Sequence, residues 1–226
     1  MVQGIDIEQA RHYYSDDDPV HDFDHVLRVT ALAVSLAQHE GADLDVVRTA
    51  ALLHDIVRTA DPNHVSGFAL QSDGETDHAV LAGRRTREIL QGADPAFVEA
   101  VVHAIEAHRF RNAIDPQTIE AQCLFDADKL DAIGAVGVAR AFAYAGLHRM
   151  PLWGEVSKDY RPGESDEAHT PHHEFVVKLQ TIKDRLYTAS ARRMAAERHA
   201  FMVRFFEQMG REIRAPQSPL SSSNTA

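Results

Sequence analysis

Apolar residues recur at helical spacing along most of this chain. After Asp18 and Pro19, a capping residue and a first-turn proline, the stretch VHDFDHVLRVTALAVSLAQHEG places Val26, Val29, Leu32, Ala33 and Leu36 on one stripe, and Gly41 ends it. Asp43 caps LDVVRTAALLHDIVR, whose apolar density exceeds a single stripe and predicts a helix buried on most sides. Further helices are expected in HAVLAGRRTREIL after Thr76 or Asp77, in AFVEAVVHAIEAH opened by Asp94 and Pro95, in a segment through CLFDADKLDAIGA opened by Pro116, and in GVARAFAYAG ending near Gly146. From His172 helical spacing returns, as two helices or one long one.

No stretch shows the alternation of a half-buried strand. The expected fold is all-α, one helical-bundle domain over residues 1–214, with residues 215–226 a disordered tail. Between Met150 and Pro171 the pattern gives way to PLWGEVSKDYRPGESDEAHTP, too long for an ordinary connection. The expectation is a long flexible loop that closes over substrate, with Lys158 or Arg161 approaching phosphates and Trp153 changing environment.

Composition narrows the function classes. With 226 residues and 44% of them hydrophobic, the chain can bury a substantial core. No apolar run approaches the about 18 residues that span a bilayer, and the first residues lack an export pattern, so a cytoplasmic protein without membrane contact is expected. The single Cys123 permits no internal disulfide. A net charge of −11 argues against a nucleic-acid polymer as partner, while the small basic groups Arg84, Arg85, Arg87 and Arg109, Arg111 suit one phosphorylated small molecule.

The chemistry is concentrated in TAALLHDIVR, residues 49–58, where His54 and Asp55 interrupt an apolar run. An ionised carboxylate inside such a helix is costly unless paired, and a divalent cation is a partner that uses both neighbours. His25, opening an apolar stripe in HVLRV, and Asp128, in the acid-punctuated LFDADKLDAIG, are the candidate ligands from other helices. Two imidazoles and two carboxylates would leave room around a divalent ion for water and a phosphate oxygen. The second His-Asp pair, His21 with Asp22, lies one turn before His25 and is read as a rim feature.

The order His25, His54-Asp55, Asp128 resembles the H…HD…D signature of the HD-domain metal-dependent phosphohydrolases. The stretches HDFDHVLRV, AALLHDIVR, HRFR, DADKLDAIGAVGVARAFAYAG and RMAAERHAFM are similar to the bacterial subgroup containing small nucleotide pyrophosphohydrolases, over most of residues 20–210. The resemblance implies a helical bundle around one divalent metal, Mn²⁺ foremost with Co²⁺, Ni²⁺, Fe²⁺ or Mg²⁺ as alternatives. It also implies a homodimer, and hydrolysis of a (deoxy)nucleoside triphosphate to monophosphate and pyrophosphate.

Other roles are expectations of lower rank. Asp55 and Lys129 are catalytic candidates, and Arg58, Lys129, His108, Arg109 and Arg111 are candidates for holding substrate. Asp131 is expected to orient Lys129 or a ligand histidine. Some HD hydrolases carry a water-activating glutamate three residues after the HD aspartate; Arg58 stands there. Binuclear HD proteins use further histidines, so His78, His103 and His108 are weighed for a second metal, with His78 or His103 alternatively a phosphate contact or proton donor. The competing functions are a nucleotide-sensing module without turnover and a di-iron oxygenase.

Overall fold

The computed structural model describes residues 4–14, 23–57, 77–110, 114–163 and 165–214. The N-cap expected at Asp18, the pair His21-Asp22, Arg58, Arg111 and the 215–226 tail lie outside the described residues. Every described regular element is helical. In chain order these are α1 (Ile7–Arg11), α2 (Phe23–Glu40), α3 (Leu44–Leu53), α4 (His78–Ile89), α5 (Pro95–Glu106), α6 (Ile119–Asp131), α7 (Gly134–Leu147), α8 (Pro171–Val177), a 3₁₀ helix (Leu179–Arg185) and α9 (Ala189–Ile213).

Helix starts follow the capping residues. Asp43, Asp77 and Asp94 each accept a backbone N–H of the helix they open, satisfying donors that the first turn leaves unpaired. Pro95 occupies the first turn of α5, where a missing N–H costs nothing. The start of α6 differs from expectation: Thr118, not Pro116, is the cap, because its hydroxyl accepts the N–H of Ala121.

α2, α3, α5 and α6 pack together, and α3 is nearly engulfed, with Val47, Ala50, Ala51, Leu52 and Leu53 fully buried. A main core unites these helices with α9 through Leu36, Leu53, Ile105, Leu124, Leu130 and Met202. No single helix among the described residues is long and apolar enough to cross a membrane.

The C-terminal region is neither one helix nor two. It breaks into α8, the 3₁₀ helix and α9, and the second break is fixed by the buried Asp126 of α6. Its carboxylate accepts the N–H groups of Tyr187 and Thr188 and the Thr188 hydroxyl at 2.7 to 3.0 Å. Phe206 is buried in the chain's own core, stacked on Phe175 at 4.5 Å, whereas Phe201 is partly exposed. The described residues of the connection, 151–163 and 165–170, are non-helical, and Trp153 is stacked on His172 at 3.8 Å and packed near Gly210 of α9.

Candidate metal centre

The expectation placed His54 and Asp55 at the middle of a helix. In the structure α3 ends at Leu53 and His54 is its C-cap. The ring explains the ending: His54 Nδ1 donates to the Ala51 carbonyl at 2.8 Å, satisfying an acceptor that the last helical turn leaves open. Tyr14 donates to the Leu52 carbonyl at 2.9 Å in the same turn. Leaving the helix lets adjacent side chains converge that would otherwise point about 100° apart.

Because Nδ1 carries the proton, His54 Nε2 is a bare lone pair. It is fully buried and has no hydrogen-bond partner. His25 of α2 has the same polarity: its Nδ1 donates to Asp131 at 2.8 Å, and its Nε2 lies 3.5 Å from Asp128 and 3.9 Å from Asp55. His25, His54 and Asp55 thus present ligand atoms within 4.8 Å of one another, with Asp128 alongside.

Asp55 has a second face. Its Oδ2 lies 3.7 Å from His54 Nε2, while Oδ1 lies 3.6 Å from His78 Nε2 and 3.8 Å from His108 Nε2. His108 Nδ1 donates to the Ile105 carbonyl at 2.6 Å, which again leaves Nε2 as the ligand atom. Asp55, His78 and His108 form a second triad of metal-ligand spacing. Imidazole nitrogens converging on carboxylates suit a divalent cation, and the orphaned His54 Nε2 at full burial is otherwise unexplained.

The electrostatics agree. Burial pushes the His108 imidazole down from 6.5 to about 3, helped by His54 and opposed by Asp128 and Asp55. Burial lowers His25 as well, against the pull of Asp131. For Asp128, burial acts to raise the pKa, but Lys129 and the surrounding histidines hold it well below the usual carboxylate range. Lowered values favour neutral imidazoles at His25 and His108 and an ionised Asp128, the states in which each ligates metal.

The remaining candidates are placed differently from one another. His108, expected to hold substrate and also weighed for a second metal, faces Asp55, since α5 ends at Glu106 and its ring turns inward. His103 is not brought to the site; its Nε2 accepts the Gln117 N–H at 3.1 Å on the far side of α5. Lys129 lines the cavity above the cluster, with Nζ donating to Asp128 at 2.6 Å and to the His108 carbonyl at 2.8 Å, between the rings of Phe110 and Phe125. Arg109 also lines it, but its guanidinium pairs with Asp77 at 2.7 Å. That pair ties the start of α4, which carries His78, to the segment that carries His108.

Asp131 orients His25 and not Lys129. It also accepts bidentate bonds from Arg28 and one from Arg140 at 3.1 Å. Sequence reasoning missed both arginines, although Arg28 lies one turn from His25 and Arg140 lies within the resemblance stretch. The cavity has a volume of ≈ 260 Å³ and runs from the cluster past α7 to His169, Glu174 and Lys178. Lys158 and Arg161 do not line it, and Arg161 donates to the Tyr160 carbonyl.

An all-helical bundle whose core closes on a His-His-Asp cluster defines an HD-type hydrolase, and the chain belongs to the HD-domain superfamily. The HD domain model matches residues 22–133. The uncharacterized protein YpgQ of Bacillus subtilis is 37% identical over 203 residues, covering 88% of this chain and 87% of YpgQ. The crystal structure of YpgQ in complex with ADP superposes with a TM-score of 0.67 at 32% identity, covering 93% of this chain and 99% of that one. An HD-superfamily hydrolase from Bacillus thuringiensis gives 0.65 at 28% identity, covering 93% of this chain and 95% of that chain. Ribonuclease Y of Chloroflexus aurantiacus is 33% identical over 106 residues, which are 47% of this chain and 17% of that protein.

Proposed function

We propose that this protein hydrolyses a nucleoside or deoxynucleoside triphosphate to the monophosphate and pyrophosphate with Mn²⁺ at the His25, His54, Asp55, Asp128 cluster. The observation that carries the reading is the position of Asp55, where two ligand triads meet at the end of one cavity. The ADP held by YpgQ supports a nucleotide as the occupant. The net charge of −11 favours a small ligand over a polyanionic strand.

Bound metal would orient a phosphate oxygen and make water a better nucleophile at neutral pH. The chain's own residues do the rest. Lys129 uses two of its three N–H donors within the protein, leaving one for a phosphate oxygen. Arg140 uses one donor on Asp131 and also lines the cavity, so its charge is available to neutralise a further phosphate. His78 is the most exposed of the cluster histidines and is the group placed to pass a proton to or from solvent.

The test is a nucleotide panel with Mn²⁺, Co²⁺, Ni²⁺ and Mg²⁺, scoring phosphate and pyrophosphate separately. Pyrophosphate release from triphosphates is the expected result, and phosphate alone would make the protein a phosphatase. The shared Asp55 also suits two iron ions, so oxygen uptake with Fe²⁺ would favour an oxygenase instead.

A further inference from the structure

Three acidic side chains line the cavity, and the metal cluster accounts for only two, Asp55 and Asp128. The third is Glu174 in the first turn of α8. That helix packs against α7 and the 3₁₀ helix, whereas the ligands come from α2 to α6 and their ends, so the cavity separates the two carboxylate groups. Between them α7 presents Gly137, Ala141 and Ala145, spaced by four on one face, with Met150 beyond. The cavity therefore has a metal-binding, cation-flanked end, a slim apolar middle, and a far end where the Glu174 carboxylate sits between His169 and Lys178.

Glu174 is built in rather than incidental. Its side chain is 12% exposed, and Thr170 and Pro171 fix the start of its helix. One carboxylate oxygen accepts from His169 Nε2 at 2.9 Å and the other from Lys178 at 2.6 Å. With Nε2 donating, His169 Nδ1 is an acceptor, and the Tyr160 hydroxyl donates to it at 2.7 Å. The chain of donors runs Tyr160 to His169 to Glu174. Burial acts to raise the Glu174 pKa, but His169 and Lys178 bring it below the usual range. An ionised carboxylate only accepts hydrogen bonds, and each oxygen keeps a lone pair beyond the one its partner uses. Such a group selects a hydrogen-bond donor.

We infer that Glu174, held by the Tyr160-His169 relay and Lys178, is a specificity-determining residue that accepts a hydrogen bond from the end of the substrate remote from its phosphates, a sugar hydroxyl or a base amine. This rests on the nucleotide reading above and names what that site recognises besides phosphate. The small face of α7 then lies along the intervening ring, and the phosphates reach Lys129 and Arg140.

Calorimetric titration of the Mn²⁺-loaded protein with ADP and with inorganic pyrophosphate tests it without turnover. Glu174→Gln is expected to weaken ADP about tenfold or more while leaving pyrophosphate within about twofold, the signature of one lost charge-assisted hydrogen bond. Tyr160→Phe, which keeps the ring packing and Glu174 itself, should weaken ADP in the same selective way by about threefold. Either IDP, lacking the base amine, or 2′,3′-dideoxy-ADP, lacking the sugar hydroxyls, should bind the unaltered protein as weakly as Glu174→Gln binds ADP, which identifies the donor. Equal losses for ADP and pyrophosphate, no loss for ADP, or analogues that both bind like ADP would each overturn the inference. A failed hydrolysis panel with selective ADP binding intact would instead reject only the proposed reaction.

Discussion

His25 Nδ1 and Asp131 Oδ2 meet at 2.8 Å across 106 residues of sequence, joining α2 to the end of α6. The bond fixes the tautomer of His25, so its Nε2 faces Asp128 and Asp55 as a lone pair. Arg28 and Arg140 lock the same carboxylate from the other side, and its pKa is held low: burial acts to raise it, and His25 with Arg28 overcomes that.

Asp131→Asn should weaken metal binding about 10- to 100-fold, because an outer carboxylate sets both the orientation and the basicity of a ligand histidine. Metal titration followed by calorimetry checks this, with far-UV circular dichroism expected to match the unaltered protein. Unchanged affinity would make the pair a helix tie only.

Asp55→Ala and His78→Ala should differ in kind. Asp55 belongs to both triads, so its loss should remove metal and activity while most helix remains. His78 belongs only to the second triad, and His78→Ala should retain one ion per chain by elemental analysis. His103→Ala should leave metal content unchanged, since its ring is spent on the Gln117 N–H.

Metal-free protein should lose stability as pH falls below 6.5. His108 has a folded pKa near 3 against an ordinary 6.5, so the unfolded chain takes up its proton first. Between those values the loss is about 1.4 kcal/mol per pH unit for each such histidine, and His25 adds to it in the same direction. Asp128 and Asp131, whose pKa values are lowered, contribute stability that disappears only in still more acid solution. Urea unfolding at pH 7, 6 and 5 measures the slope, and His108→Gln should flatten it.

Trp153 fluorescence should stay unchanged when nucleotide and Mn²⁺ are added. The ring is stacked on His172 and packed against Gly210 and Arg214, and it does not line the cavity. A shift in emission would restore the closing-loop expectation for residues 151–170. For the same reason Lys158→Ala combined with Arg161→Ala should leave KM unaltered.

The sequence by itself determined the helical class, most helix starts, and the three polar residues of the first triad with Asp128 beside them. Each is a local matter: a capping aspartate is recognised by the N–H groups just beyond it, and a histidine beside an aspartate in an apolar run is conspicuous because burial makes it costly. What only tertiary structure decided was which of these residues meet. His108 points at Asp55 while His103 does not, because α5 ends between them; Arg140 and Asp131 meet because the chain bends between α6 and α7; and Asp126 breaks the C-terminal helix from 61 residues away. Nothing in the sequence singles out Glu174 or His169; packing of α8 against α7 brings them to the cavity. Spacing along a helix reports which face a residue shares, but which element covers that face is set by the packing of the whole core.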